Sequence, residues 1–206
     1  MAALTPGGLD GLTTAAAHEL MAIARRAFAG GLQTGTGGNI SIRVGDRNEV
    51  VIKPSGVGLA ECNEDNLLVV DLVGNILRGH SKPSKDMDFH LGIYRVRDDV
   101  GGIVHCHSAW ATAWAASGRP MPLPTVHSRD KLKRIPVIPT GPGGSAQRVE
   151  AVVAEFRDPA LRAALLADHG AVGVGKTLQA ALHVAELIEE TAQVAAMARL
   201  IAAAPG

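Results

Sequence analysis

The stretch 80–108 constrains the fold more than any other part of the chain. It contains a helical pattern over 84–97 and ends in the strand-like run 102–106, which His107 follows directly. Alternate side chains of a strand share a face, so His105 and His107 point to the same side. Two imidazoles one pleat apart can hold one metal ion, but a His-x-His pair alone is more often two unrelated histidines. The pattern therefore indicates a metal site only if a third ligand is found.

The helix before this strand supplies a carboxylate. Ser84 follows Pro83 and is predicted to be the N-cap of the helix over 84–97. That start places Asp86 near the first helical turn. The predicted geometry is a helix N-terminus with an acidic side chain that faces a strand end with two histidines.

A third histidine lies much later in the chain. His169 ends an apolar run and precedes Gly170, where the backbone can turn closely. Three neutral imidazoles leave the double positive charge of a zinc ion uncompensated and leave one coordination position open, as in a catalytic zinc site. The histidines therefore predict a catalytic metal centre.

Composition argues against nucleic-acid binding and bounds the domain count. Lys+Arg and Asp+Glu both number 20, so the formal net charge is zero, whereas nucleic-acid binders carry a basic excess. Aromatic residues make up only 3%, which also disfavours base stacking. With 206 residues, 47% of them hydrophobic, the chain suits one domain with a substantial core. We predict a flexible tail over 1–8 and a single domain over 9–206.

Cysteine usage and the N-terminus predict a cytoplasmic protein. Cys62 and Cys106 are too few for a disulfide framework. Cys106 is predicted to be a buried free thiol on the strand face opposite His105 and His107. The N-terminus lacks the charged and apolar regions of a signal peptide. No uncharged apolar stretch reaches the ~18 residues of a membrane helix, so no membrane contact is expected.

The order of predicted elements indicates an α/β fold. Early strands form a hairpin, and helices and strands then alternate, which predicts a largely antiparallel or mixed sheet with helices on its faces. Residues 120–124 and 135–139 are predicted to flank a loop. Helices are predicted over 9–30, 84–97, 108–116, 145–156 and 178–203, and strands over 40–44, 50–52, 66–71, 102–106 and 170–174.

Three polar segments could bind an anion if the fold brings them together. Residues 35–39 are rich in glycine, and successive backbone N–H groups in such a segment can form an anion nest. Residues 53–56 follow a strand, and 83–85 open a helix, where the macrodipole favours negative charge. A plain turn is the alternative for each segment taken alone. His90, one turn after Asp86, either orients that carboxylate or simply packs.

Five motifs in order carry a family resemblance. They are Gly35-Thr36-Gly37-Gly38-Asn39-Ile40-Ser41, Lys53-Pro54-Ser55-Gly56, Pro83-Ser84-Lys85-Asp86, Ile103-Val104-His105-Cys106-His107-Ser108 and Asp168-His169-Gly170. The chain resembles the class II aldolase/adducin family, which includes fuculose-1-phosphate aldolases and ribulose-5-phosphate 4-epimerases. The resemblance covers roughly residues 10–200.

The resemblance implies a fold, an assembly and a set of site residues. The fold would be a single α/β domain with a central, mostly antiparallel sheet, assembled as a homotetramer. The metal, Zn²⁺ first with Mn²⁺, Co²⁺ or Fe²⁺ as alternatives, would be held by His105, His107 and His169. Asp86 would be the base and sometimes a fourth ligand. A small phosphorylated sugar would bind against Thr36, Gly37, Asn39, Ser55, Gly56, Ser84 and Lys85.

Departures from the family pattern leave the reaction open. Fuculose-type aldolases have a glutamate where Asp86 stands and use a tyrosine from the C-terminal tail, but the single tyrosine here is Tyr94. The epimerases use an aspartate at the position of Arg129. We expect a metal-dependent lyase that cleaves a phosphorylated ketose to dihydroxyacetone phosphate and an aldehyde. The alternatives are a decarboxylase of a phosphorylated 3-keto acid, a 4-epimerase and a non-catalytic adducin-like module.

Overall fold

A computed structural model describes residues 11–139, 141–142 and 144–204. The tail predicted over 1–8 lies outside the described residues. The elements in chain order are α1 (Gly11–Ala29), β1 (Asn39–Arg43), β2 (Glu49–Ile52), β3 (Leu68–Asp71), β4 (Ile76–Arg78), α2 (Met87–Val96), β5 (Gly102–Cys106), α3 (Ala109–Ser117), α4 (Val126–Leu132), β6 (Val137–Ile138), α5 (Ala146–Phe156), β7 (Ala163–Leu166), β8 (Gly170–Gly175) and α6 (Leu178–Ala203). A short 3-10 turn spans Leu59–Glu61.

Within the described residues, the strands form one eight-stranded sheet in the order β4-β3-β2-β1-β5-β8-β7-β6. Every neighbouring pair is antiparallel except β6 and β7, which are parallel. This confirms the predicted α/β fold with a central, mostly antiparallel sheet.

Helices cover both faces of the sheet. Side chains of α1, α3 and α6 join one apolar cluster, and those of α2 and α5 join the other. Successive residues of β5 alternate between them, since Val104 and Cys106 face the first cluster and Ile103 the second. Cys106 is a buried free thiol, as predicted, and burial raises its pKa to about 11. The ring of His105 lies on the other face against Phe89.

The helix before β5 begins later than predicted. It starts at Met87, and the N-cap position is held by Asp86 rather than Ser84. The Ser84 hydroxyl accepts hydrogen bonds from the Asp86 backbone N–H and from the Asn39 side chain instead of capping a longer helix. The start of α2 is thereby tied to β1.

The prediction of a loop between 120 and 139 was wrong in its centre. The segment contains α4, which Thr125 caps by accepting the Ser128 N–H while the Ser128 hydroxyl approaches the Thr125 N–H. It also contains β6, and the apolar run before His169 is the strand β7.

The edge strand β4 was missed because its three residues are exposed and carry no alternation. Glu189 of α6 caps α3 by accepting hydrogen bonds from the backbone N–H groups of Trp110 and Ala111.

No helix within the described residues is both long enough and apolar enough to span a bilayer.

Gly102 allows the close contact between β5 and α6. A Cβ at this position would lie 2.3 Å from the Leu178 Cα and 2.6 Å from its backbone N. We expect Gly102→Ala to lower the free energy of unfolding by about 1–3 kcal/mol or more, because backbone atoms cannot move aside as a flexible side chain can. Urea denaturation monitored by circular dichroism measures this.

Gly11→Ala is the matched control, because a Cβ there would meet no atom within 4 Å. It should leave stability unchanged or slightly higher. Equal stability of the two variants would contradict the close contact at Gly102.

Candidate metal centre and active site

The candidate site lies at one end of β5, where several segments meet. Asn39, the first residue of β1, pairs directly with His105 of β5. β8 pairs with the other edge of β5, which returns the β7–β8 turn to the same place. That turn carries His169, next to Asp168 with a left-handed φ of 55°. The sheet therefore gathers residues that are far apart in sequence.

The three predicted metal ligands lie together. The His105 Nε2 is 3.1 Å from the His107 Nε2 and 3.1 Å from the His169 Nε2. The potential ligand atoms of the three residues all lie within 4.8 Å of one another. A tetrahedral zinc ion with Zn–N bonds of about 2.0–2.1 Å separates its ligand nitrogens by roughly 3.3 Å. The spacing of the three nitrogens therefore fits a divalent ion.

Neighbouring groups prepare the histidines for this role. The His105 Nδ1 lies 2.9 Å from the Ala171 carbonyl oxygen, so this nitrogen carries the proton and leaves Nε2 free to bind. The Gln33 side chain accepts a hydrogen bond of 2.8 Å from the His107 backbone N–H. Burial lowers the pKa of His105 well below its ordinary value, and burial with the nearby His169 lowers that of His107 to about 4. Neutral imidazoles are the form that binds metal.

Asp86 is buried beside the histidines. Its Oδ2 accepts a hydrogen bond of 3.0 Å from the Asn39 Nδ2 and lies 3.6 Å from the His105 Nε2. The same oxygen is 4.0 Å from the His169 Nε2. Burial opposes ionisation, but the imidazoles of His169 and His105 and the Asn39 amide outweigh it and hold the pKa of Asp86 well below its usual range. Asp86 is therefore a carboxylate that can accept a proton.

A chain of hydrogen bonds orients this carboxylate from behind. The His90 Nε2 lies 2.5 Å from the Asn39 Oδ1, and its Nδ1 lies 2.7 Å from the Ser41 hydroxyl. Since an amide oxygen only accepts, the His90 Nε2 donates and its Nδ1 accepts. Burial lowers the pKa of His90 to about 4, which keeps this arrangement neutral. Of the two roles left open for His90, the structure supports orientation, acting through Asn39.

Tyr94 does not reach the candidate site. Its hydroxyl donates to the Ser41 carbonyl oxygen over 3.0 Å and contacts the Ser41 hydroxyl at 2.9 Å. The side chain is fully buried, and burial raises its pKa above the ordinary value. Tyr94 therefore closes the far end of the chain of hydrogen bonds and cannot transfer a proton to a substrate beside Asp86.

The three polar segments converge, as the anion-binding hypothesis requires. Lys53 is 1% exposed, and its Nζ donates to the carbonyl oxygens of Thr36, Gly38 and Pro54 over 3.0 to 3.2 Å. Burial lowers the pKa of this ammonium group. The segment 53–56 is held beside the third segment, because the Ser55 N–H donates to the carbonyl oxygen of Lys82, the residue that precedes Pro83. Lys53 thus joins the first two segments.

The predicted phosphate-binding residues differ in what they offer a ligand. Thr36, Ser55, Gly56 and Lys85 are exposed, and Gly37 and Ser84 are half-buried. The Asn39 side chain is committed to Ser84, Asp86 and His90, so its amide is not free for phosphate. Gly37 sits against His107, where a Cβ would approach the Nδ1 to 3.0 Å.

Sequence reasoning missed two residues of the site. Gln33 holds the backbone of His107, and no local pattern identifies it. Arg148, in the first turn of α5, is buried with its Nη1 3.6 Å from the Asp86 Oδ1. The helix predicted over 145–156 places Arg148 on α5 but does not indicate that its side chain faces Asp86. Arg129, which stands where the epimerases have an aspartate, instead donates to the carbonyl oxygens of Leu123 and Pro124.

Comparisons with known proteins identify the family of this chain. The family model described as the class II aldolase and adducin N-terminal domain matches residues 18–196. An L-fuculose phosphate aldolase of Methanococcus maripaludis is 38% identical over 159 residues, 77% of this chain and 84% of the relative. A 5-deoxy-D-ribulose 1-phosphate aldolase of Bacillus thuringiensis is 34% identical over 177 residues, 86% of this chain and 82% of the relative.

A solved structure supports the same assignment. That of an L-fuculose 1-phosphate aldolase superposes with a TM-score of 0.85 at 27% identity, covering 94% of this chain and 90% of the other. The family model alone matches well over half of the chain. The chain therefore belongs to the class II aldolase and adducin N-terminal domain family, as an enzyme of the class II aldolase type, a carbon–carbon lyase.

Proposed function

We propose that this chain is a divalent-metal-dependent aldolase that cleaves a small phosphorylated ketose into dihydroxyacetone phosphate and an aldehyde. One observation carries the proposal: three imidazole nitrogens stand at ligand spacing, 3.1 Å from His105 to each neighbour, with the Asp86 carboxylate 3.6 Å from the same nitrogen. A metal position and a base side by side are what a retro-aldol cleavage requires.

The names of the relatives support the class of substrate. The two aldolases described above act, by name, on fuculose phosphate and on 5-deoxyribulose 1-phosphate. We propose a ketose 1-phosphate of similar size for this chain, with its phosphate at the corner where the three polar segments converge. The proposed contacts are Thr36, Gly37, Ser55, Gly56, Ser84 and Lys85, with Asn39 acting through its backbone or by orienting Asp86.

We propose Zn²⁺ as the resident ion, because three imidazoles with one open position are a common catalytic zinc set. Mn²⁺, Co²⁺ and Fe²⁺ are the alternatives, since imidazole binds these ions as well. His105, His107 and His169 would hold it. When bound, the ion would act as a Lewis acid that stabilises negative charge beside the substrate carbonyl.

The protein's own groups then account for the proton. Asp86 removes the proton from the hydroxyl on the far side of the bond that breaks, and it returns a proton to the carbon that keeps the electron pair. Asn39 holds the carboxylate in place through its hydrogen bond to Oδ2. The polar segments fix the phosphate, so that binding energy positions the bond that breaks.

We also propose that the chain assembles as a homotetramer in the cytoplasm. Large apolar side chains are exposed along α3 and the end of α6, among them Trp110, Met197, Leu200 and Ile201. Such a surface on a soluble enzyme is typical of a subunit contact. Light scattering that returns only the 21.3 kDa of one chain would contradict the assembly.

His169→Ala should reduce metal content and activity together, because one of three ligands is removed. Wild-type protein is expected to carry about one divalent ion per chain after purification. Plasma mass spectrometry gives the metal content, and a coupled assay for dihydroxyacetone phosphate gives the activity. His183→Ala is the matched control, since that ring lies exposed on α6 beside Gln179. Full metal content in the His169→Ala protein would remove His169 from the ligand set.

Asp86→Asn should lower the turnover by about 10²–10⁴-fold, because the amide keeps the size of the side chain and loses the base. Metal should largely remain, since the three histidines are intact. Asp88→Asn is the control on the same helix, with an exposed side chain. Turnover near the wild-type value in the Asp86→Asn protein would exclude Asp86 from the reaction.

The assay for this pair should offer both a ketose 1-phosphate and a phosphorylated 3-keto acid. Dihydroxyacetone phosphate from the first supports the aldolase. Carbon dioxide from the second, with the first untouched, would show a decarboxylase instead.

A further inference from the structure

Arg148 is a buried cation inside the candidate site that has no role in the mechanism described so far. Its side chain belongs to a residue that is only 5% exposed, and neither its Nε nor its Nη1 has a hydrogen-bond partner among the described residues. The Asp86 Oδ1 is likewise buried without a partner. The two groups face each other as an ion pair without a hydrogen bond, with 3.6 Å between the Arg148 Nη1 and the Asp86 Oδ1.

The missing hydrogen bonds lower the stability of the folded protein unless another molecule binds between the two groups. Buried polar groups in folded proteins are nearly always hydrogen-bonded, and a guanidinium remains charged at any physiological pH. A direct charge-assisted bond between the two groups would be about 2.7–2.9 Å long. At 3.6 Å the groups are too far apart to satisfy each other. The missing partner is therefore a third atom that both groups can reach.

The chemistry of the two groups identifies that atom. An oxygen placed beside the line that joins them can lie about 2.8 Å from each. It must donate a proton to the carboxylate and accept one from the guanidinium, because the first only accepts and the second only donates. A hydroxyl does both, and so does a water molecule, which a substrate hydroxyl would replace with the same two hydrogen bonds. A carboxylate ligand would instead bring a second negative charge against Asp86, which disfavours it.

We propose that Arg148 is a further catalytic residue, which binds the oxygen of the substrate hydroxyl whose proton Asp86 removes. This assignment rests on the proposed aldolase function. It gives the site a hydrogen-bond donor for the oxygen that becomes the aldehyde, a position that the Tyr94 hydroxyl does not reach.

The step balances without any further reactant. The O–H bond of the C4 hydroxyl breaks as its proton moves to Asp86, and Arg148 stabilises the negative charge on that oxygen. The C4–O bond then becomes the carbonyl of the aldehyde, and the C3–C4 electron pair stays on C3. Asp86 delivers the proton to C3, which completes dihydroxyacetone phosphate. In the reverse direction Arg148 polarises the aldehyde carbonyl.

The location of Arg148 agrees with a role at this end of the substrate. The groups of the polar segments approach Asp86 from its Oδ2 side, where Asn39 donates and Ser84 is close. Arg148 approaches from the Oδ1 side, on a different helix. The segments proposed to bind the phosphate and the guanidinium proposed to bind the reacting hydroxyl thus lie on opposite sides of the Asp86 carboxylate.

The test separates the two halves of the reaction in holoenzyme. One half is the exchange of the C3 hydrogen of dihydroxyacetone phosphate with D₂O, which requires Asp86 but not Arg148 and which NMR measures. The other half is the cleavage of a ketose 1-phosphate, which also requires stabilisation of the oxygen that becomes the aldehyde. In Arg148→Met we expect cleavage to fall by about 10²–10³-fold, the size of losing one transition-state donor, while exchange stays within a few-fold of wild type. Arg148→Lys should lie between, since it keeps the charge without the planar fork.

Arg157→Met is the matched control, because Arg157 lies exposed at the other end of α5. It should leave both rates unchanged. Thermal unfolding of Arg148→Met should occur within a few degrees of the wild-type temperature, since the Arg148 Nε and Nη1 have no hydrogen-bond partner among the described residues.

The possible outcomes separate an error in the Arg148 assignment from an error in the proposed function. Equal loss of exchange and cleavage in Arg148→Met, or a lower unfolding temperature with both rates reduced, would make Arg148 structural and overturn the assignment. Unchanged cleavage would also overturn it. Absence of both exchange and cleavage in the wild-type protein would overturn the proposed function itself, and the Arg148 assignment with it.

Discussion

The pairing of β5 with β1 on one side and β8 on the other is the constraint on which the rest of the site depends. It sets Asn39 opposite His105 and returns the β7–β8 turn to the end of β5. Because side chains alternate along a strand, a register slip of one residue would turn His105 into the apolar cluster that now holds Cys106. The ligand spacing, the approach of Asp86 and the hydrogen bonds of His90 all follow from this register.

Three buried charged side chains surround the candidate site, and each differs in how its charge and its hydrogen-bonding groups are satisfied. Lys53 is satisfied by three carbonyl oxygens and holds the glycine-rich segment. Asp86 is held ionised by the groups on one of its oxygens, while the other oxygen stays free. Arg148 has no partner for two of its nitrogens among the described residues. In the proposed mechanism, the substrate hydroxyl would bind between Arg148 and Asp86 and supply the missing hydrogen bonds.

Much of the fold could be predicted because its signals are local. The helix 178–203 with its Thr177 cap and the strand 102–106 were predicted with the bounds that the structure shows. Both are apolar, and a capping residue or a glycine marks their ends. The elements α4 and β4 were missed because a polar helix and a three-residue edge strand carry no apolar period. The start of α2 was misplaced because the Ser84 hydroxyl bonds across the fold rather than along the helix.

The site was predictable to the extent that its residues stand in short motifs. The three histidines and Asp86 do, and the fold brings them together. That they bind a metal stays a prediction. Arg148 stands in no motif and becomes visible only through its distance from Asp86, which depends on how α5 lies beside α2. Contacts of this kind require the tertiary structure.

The most direct test of the account is X-ray absorption spectroscopy at the zinc edge, measured on purified, zinc-loaded protein. The account predicts a tetrahedral first shell with three imidazole nitrogens at about 2.0–2.1 Å and one oxygen ligand. It also predicts that one imidazole contribution is lost in the His169→Ala protein. A sulfur shell at about 2.3 Å, which would mean that Cys106 binds the ion, or a shell without imidazole scattering, would contradict it.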